Sequence, residues 1–435
     1  MRITFIGAGS IFTPLGLYTI ATSEVLRNAE VYLVEIDEDR RKFITALAEK
    51  IRKTFKAGFR VTPMSHVSEL ESYGLDYAVI SVEKERYERW RLDFEIPHKY
   101  GIRQVLGENG GLGGLAHTLR VVPLVLEIAR TIEDIHRDAR VFIYSNPEPR
   151  VTYAVLNYTG LKNVHGLCTG YLERKEMLAP LLKADEREIS FIAAGLNHFT
   201  WIRELRVGRE DAYPRLDEAL KRRPDFEPLS QLLYRTYGLF PSPDDNHIGE
   251  YLGFAWPLIP EEKKGLRWIE RTRKEGEEVR RLLRLFLRGL VPRFAFNRFV
   301  KFPDVAMNIV EGLEGMEKLQ EAINVPNRGY IDLPDGVIVE VPAEVSPKGV
   351  KPLRVELPRE ALVPLRVQAE IQRLSAEAAA EGNVEKVIKA VLLDPVVHDA
   401  EAGLKAMAEL MGVHLDMMPR FDEGDVEKIK GWMRA

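Results

Sequence analysis

The sequence predicts an α/β protein in which a doubly wound parallel sheet is followed by a mixed α+β region. Three observations carry that prediction. The chain opens on a short apolar run, "ITFIGAG", that ends in Gly-x-Gly and leads straight into a stretch with helical spacing. Apolar runs and amphipathic stretches then alternate for most of the first half of the chain, as strands and crossover helices do. From Ile189 the rhythm changes to longer strands, Pro-containing loops and helices rich in Arg and Lys.

The elements follow in order. "SIFTPLGLYTIATSEVL" repeats Ile11, Leu15, Leu17, Ile20 and Leu26 at helical spacing after the first strand. "AEVYLVEID" is a second strand ending in acids, and "DEDRRKFITALAEKIRKTF" a second amphipathic helix. Strands follow at "DYAVISV", "ARVFIYSN" and "NVHGLC", with "LAHTLRVVPLVLEIARTIEDIHR" as a long helix between the first two. This is a Rossmann-like pattern, assigned to residues 1–188 as a nucleotide-binding domain. Residues 189–435 form the second domain, for substrate, metal and oligomerisation, with strands in "EISFIAAGLNHFTWIRELRVG" and helices from Pro358 to Met411. A hairpin is expected in "GYIDLPDGVIVEVPAEV", with Asp335-Gly336 at its tight turn.

Composition narrows the function classes. Of 435 residues, 45% are hydrophobic and 29% charged, which describes a globular chain. The net charge of −4 comes from interspersed charges of both signs, so neither a nucleic acid nor a membrane is an expected partner. One cysteine excludes an intramolecular disulfide, and with no apolar leader read at the start a cytoplasmic protein is expected.

Seven stretches carry chemistry. In the Gly7-Ala8-Gly9-Ser10 turn, backbone N–H groups and the helix start at Ile11 are suited to a pyrophosphate, although Phe12 replaces the third glycine of the full fingerprint. Glu35 closes the second strand 26 positions after Gly9, where a carboxylate takes ribose hydroxyls and favours NAD over NADP. "QVLGENGGLGGLAH" packs five glycines into the eight residues from Gly107 to Gly114, with Glu108 near its front, a density that suits close approach of a ligand to the backbone or a plain surface loop. Asn146 ends the "FIYSN" strand at the ligand-binding edge of such a sheet, with capping of the next helix as its other role. Cys168 in "HGLCTGY" and His198 in "GLNHFTW" suit a soft metal site with open positions, a Cys–His nucleophile, or packing. Asp244, Asp245, His247 and Glu250 in "FPSPDDNHIGEY" read as acid–base machinery or as a helix cap at Asp245.

Taken together, "MRITFIGAGS", "QVLGENGGLGGLAHTLR", "YSNPEPRVTYAV", "HGLCTGY", "AGLNHFTWI", "DDNHIGEY" and "VPNRGYIDLPDGVIVEVPAEV" resemble glycoside hydrolase family 4 over nearly the whole chain. That resemblance implies a glycosidase dependent on NAD and a divalent metal, outside the usual two-carboxylate scheme. It implies oxidation of the sugar at carbon 3 with NAD, loss of the carbon 2 proton, elimination of the aglycone, addition of water and return of the hydride. Cys168 and His198 then correspond to metal ligands, Asn146 and Asn197 to sugar or cofactor contacts, and Glu108 and Asp245 to the candidate acid and base. The family's metal is manganese, whereas thiolate and imidazole alone suggest zinc or iron. A homodimer or homotetramer is implied. Thr169 stands where His is usual after the metal Cys, Leu112 where Pro is usual, and Asn246 where Arg is usual. Gly170 and "DDNH" favour an unphosphorylated α-glycoside, an α-uronide among them. The alternatives are a net NAD-dependent sugar or hydroxy-acid oxidoreductase, and a silent sugar- or nucleotide-binding homologue.

Overall fold

Short apolar strands make up the first half of the sheet, because β-branched and aromatic residues fill both faces of a strand that helices cover on each side. In the computed structural model, which describes residues 1–293 and 304–432, these are β1 (Arg2–Ile6), β2 (Glu30–Val34), β3 (Arg60–Met64), β4 (Tyr77–Ile80), β5 (Arg140–Ile143) and β6 (Val164–Gly166). All pair in parallel, in the order β3-β2-β1-β4-β5-β6. This is the doubly wound order, and its switch point lies between β1 and β4. β3, "RVTPM", escapes the sequence reading because it is largely exposed and contains Pro63, which an edge strand tolerates.

Beyond β6 the pairing turns antiparallel. β7 (Ile189–Leu196), β8 (Phe199–Val207), β9 (Glu210–Asp211), β10 (Phe240–Ser242), β11 (Lys318–Pro326), β12 (Ile338–Ser346) and β13 (Gly349–Pro352) extend the same sheet to 13 strands. The junction is β6 against β11, with Gly166 opposite Asn324. The expected division at 188/189 thus falls where the pairing changes direction, but the sheet runs on across it. The helices Arg359–Glu381 and Ala400–His414 also pack back on the first half, so that Ile371, Leu374 and Met407 share a core with Leu115, Leu119 and Val151.

Two further expectations are corrected. The hairpin partner of β12 is β11 and not "GYIDL", and the connection is a loop ordered by Asn327. Its side-chain amide donates to the carbonyls of Ile331 (3.1 Å) and Leu333 (2.6 Å) and its oxygen accepts from the Tyr330 N–H, so one residue does the work expected of a two-residue turn. Three of the five clustered glycines lie inside the helix Gly111–Ile135, not in a loop. A Cβ on Gly113 would stand 2.4 Å from the Gly107 carbonyl oxygen, and one on Gly114 2.4 Å from the Asn109 carbonyl carbon. Close packing of the segment on itself therefore accounts for these glycines. The same 25-residue helix is long and apolar enough to cross a membrane, but 78% of its apolar window is buried inside the protein.

Candidate active site

The loops that leave the C-terminal ends of β1, β2, β4, β5 and β6 open on one sheet edge. Gly7 follows β1 with φ +78°, and a Cβ there would stand 2.2 Å from the Ser81 carbonyl oxygen across the switch point. Ser10 and Ser81 hydroxyls meet at 2.8 Å. The N-cap residue of the helix Phe12–Thr22 that follows, Ile11, supplies no side-chain cap, and among the described residues the Phe12 N–H donates only to the Ser10 hydroxyl at 3.3 Å, an arrangement suited to a ligand at the helix start. Glu35 is buried and accepts from the Gly9 N–H at 2.8 Å and the Asp37 N–H at 3.0 Å. Ile11 and Ile36, 47% and 69% exposed, flank the turn as bare apolar surface. Ile36 was not singled out from the sequence, since an apolar residue at a strand end looks like core.

Glu108 is held from three directions. Arg86, stacked over the Trp90 ring, binds Glu83 at 2.5 Å and also Glu108, and Asn146 Nδ2 donates to the same Glu108 oxygen at 3.3 Å. Asn146 therefore points to the site, while Pro147 takes the N-cap position of the next helix. The Glu108 N–H donates to the Glu250 carboxylate at 2.7 Å, and His117 Nδ1 lies 2.9 Å from the Glu108 carbonyl oxygen. Burial opposes ionisation of Glu108, but Arg86 outweighs it and holds the carboxyl below its usual range. For Glu250 burial, with Glu108 nearby, wins and pushes the carboxyl up to about 7.

Cys168 ends the β6 loop, half-buried, and takes the Gly170 N–H at 3.3 Å. Asn197 and His198 form the turn between β7 and β8, where His198 sits at φ +63°, a strained position for a residue with a side chain. Asn197 donates to Glu340 at 3.1 Å, which fixes its side chain. His198 Nδ1 and Asn197 Oδ1 are buried without partners among the described residues. Burial, aided by His247, lowers His198 to about 3, so its imidazole is neutral with a lone pair to give. Burial and Glu340 push the Cys168 thiol up. A cation at the sulfur would reverse that shift, and the orphaned His198 ring nitrogen fits a metal ligand better than a nucleophilic pair. Among the described residues no cluster of three or more His, Cys, Asp or Glu converges, so a metal here would keep open positions.

Asp245 does not belong to this constellation. It is fully buried and its oxygens accept from the Leu229 N–H (2.8 Å), the Ser230 N–H (2.7 Å) and the Ser230 hydroxyl (2.6 Å). It thus caps the helix Pro228–Tyr237, whose own N-cap residue, Glu227, supplies no side-chain bond. The carboxylate that faces the site is its neighbour Asp244, bound to His247 Nδ1, and the His247 ring lies 4.7 Å from that of His198. Burial opposes the His247 charge, yet Asp244 raises the imidazole to about 10, and Asp244 is held ionised in return. Sequence reasoning listed Asp244 and His247 but could not tell which of two adjacent aspartates turns inward. It missed Glu83, Arg86 and Glu340, which reach the site only through long-range packing.

Comparison with known proteins bears on this arrangement. The chain matches the family described as Family 4 glycosyl hydrolase over residues 2–184 and the C-terminal domain of that family over 193–397. It is similar to an α-glucosidase of Erwinia rhapontici, 29% identical across 92% of this chain and 95% of the relative. An α-galactosidase of Rhizobium meliloti is 28% identical across 91% and 84%. A 6-phospho-β-glucosidase of Thermotoga maritima, solved with manganese, NAD+ and glucose-6-phosphate, superposes with a TM-score of 0.80 at 22% identity, over 96% of this chain and 99% of that one.

Proposed function

The chain belongs to glycosyl hydrolase family 4, and from that premise we propose that it is an NAD- and divalent-metal-dependent α-glycosidase acting on an unphosphorylated sugar. The observation that carries this reading is the common edge. The nucleotide turn at Gly7 and Gly9, Asn146 and Cys168 leave the C-terminal ends of parallel strands of one sheet, Asn146 ties the Glu108 carboxylate to that edge, and His198, in the β7–β8 turn, lies within electrostatic reach of Glu108.

The residues fit both the nucleotide and the metal. Gly7, Gly9, Ser10 and the helix start at Ile11 would hold the pyrophosphate, Glu35 the adenosine ribose, and Ile11 and Ile36 the faces of the adenine ring. Cys168 and His198 would hold the metal, with sugar hydroxyls completing its shell, which suits a hard ion such as manganese. When bound, the nicotinamide would supply reversible hydride transfer at carbon 3 and the metal would stabilise negative charge on the sugar oxygens.

The chain's own residues do the rest. Asn146 and Asn197 orient the sugar hydroxyls, each from a fixed rotamer. Glu108 accepts the carbon 2 proton: its Oε1 takes Arg86 and Asn146, while Oε2 makes no hydrogen bond among the described residues. Asp244 keeps His247 charged beside His198, which places a cation against the sugar's developing negative charge. The preference for an unphosphorylated sugar rests on pairing. Arg86 and His247, two cations at the site, are each already matched by carboxylates and offer little to a phosphate dianion. The test is hydrolysis of nitrophenyl α- and β-glycosides, uronides and 6-phosphoglycosides with NAD, manganese and a thiol reductant. α-Glycosides or α-uronides should turn over only when NAD and metal are both present. Hydrolysis unchanged by their removal, or preference for a phosphorylated sugar, contradicts the reading.

A further inference from the structure

Elimination of the aglycone needs a proton for the glycosidic oxygen, and most carboxyls of the cleft are in no state to give one. Glu108 is held ionised by Arg86 and Asp244 by His247. Asp245 is consumed as a helix cap, and Glu250 is fully buried against the Glu108 and Asn109 N–H groups. Thr169, which follows Cys168, has a hydroxyl and no acidic group.

One carboxyl stands apart. Glu173 lies in the first turn of the helix Gly170–Leu182, directly after the Cys168 loop, and accepts the Thr169 hydroxyl at 3.2 Å. Its side chain remains open to solvent while His247 and Asp244 face it from the segment after β10 and Glu176 from its own helix. Glu173 and Glu108 both act on the His247 ring, so both carboxyls lie within electrostatic reach of that imidazolium. We propose that Glu173 is the acid that protonates the departing aglycone, steered by Thr169. In support, protein crowding around the carboxyl raises it above the usual range, with Asp244 and Glu176 adding to the rise and His247 and the Thr169 bond opposing it.

The step balances. Glu108 removes the carbon 2 proton, the C2–H electron pair becomes the C1=C2 bond, and the C1–O bond breaks with its pair passing to the glycosidic oxygen. That oxygen takes the proton from Glu173. The water that later adds at carbon 1 gives a proton back to Glu173, and protonated Glu108 returns a proton to carbon 2, so that the neutral acid and the ionised base are both restored.

The proposal rests on the glycosidase reading, and its test separates the two. Glu173→Gln is assayed on one sugar carrying either a 2,4-dinitrophenyl or a methyl aglycone, with NAD and manganese. The dinitrophenolate leaves without a proton, so turnover of that substrate should fall less than about tenfold, while the methyl glycoside should lose about 10²–10⁴-fold. Uncleaved methyl glycoside recovered from D2O should still gain deuterium at carbon 2, and the basic limb of the pH profile should disappear. Equal losses on both aglycones, or none on either, overturn the role of Glu173. Absence of any NAD-dependent cleavage by the parent protein overturns the glycosidase reading instead.

Discussion

Asp245→Ala separates a cap from a catalyst. The substitution strips the buried carboxylate from the Leu229 and Ser230 N–H groups and from the Ser230 hydroxyl, all within 2.8 Å. Each buried N–H left without a partner costs about 1–3 kcal/mol, and loss of a helix cap alone costs about 1–2 kcal/mol, so a total near 4 kcal/mol is expected. At about 2.1 cal/mol/K per residue, 435 residues unfold with an entropy near 0.9 kcal/mol/K, and Tm should fall by about 4 °C. Asp245→Asn keeps one acceptor and should fall by less. Its pH dependence follows from the shift. Burial, with Glu227 beside it, raises the Asp245 carboxyl from 3.8 to about 7 in the folded state. The stability that the neutral carboxyl contributes is complete below about 4 and is lost as pH rises to about 7, so the gap between parent and Asp245→Asn should narrow over that window. Thermal scans between pH 4 and 8, with kcat measured well below Tm, are the assay. A variant with unchanged Tm and abolished turnover would refute the cap and restore Asp245 to the reaction.

Other outcomes follow from the same geometry. Gly113→Ala places a Cβ 2.4 Å from the Gly107 oxygen and 2.9 Å from that of Asp93, and should cost about 1–3 kcal/mol in denaturant unfolding while displacing Glu108. Unchanged stability would mean the segment packs less tightly than described. Glu35→Gln should weaken NAD binding about tenfold by calorimetry, since the carboxylate organises Gly9 as well as the expected ribose contact. Equal affinity would remove Glu35 from the cofactor site. Cys168→Ser should weaken manganese binding by about 10–100-fold, read by the spectrum of the free ion, and leave NAD affinity intact. Parent-like manganese affinity would return the thiol to a packing role. Activity should fall toward acid as Glu108, held low by Arg86 against burial, takes up a proton, and the kcat/KM profile would show that limb.

Much of this site was legible in the sequence because its chemistry sits beside its punctuation. Gly7, Gly9, Glu35, Asn146 and Cys168 all end strands that their apolar runs announce, and the parallel order then forces them to one edge. What was not legible depends on partners far away in the chain. Asp244 and Asp245 are adjacent and chemically alike. Only the free N–H groups of Leu229 and Ser230 in the helix that starts at Pro228, 16 and 15 residues earlier, decide that Asp245 turns away. The glycines from Gly107 to Gly114 look like ligand-binding loop, yet the backbone of their own segment and of Glu250 fills the space a Cβ would need. Arg86 and Glu340 carry no local signature, because their roles are defined by Glu108 and Asn197. The division near 188 is visible as a change of strand rhythm. The shared core across it is not, because helices beyond 358 return to pack on the first half.

The central claim, that cleavage passes through loss of the carbon 2 proton at a site assembled on this sheet edge, meets its most direct test in D2O. The sugar released from an α-glycoside with NAD and manganese present should carry solvent deuterium at carbon 2, and Glu108→Gln should abolish both exchange and cleavage. Cleavage that leaves carbon 2 fully protonated would contradict the account.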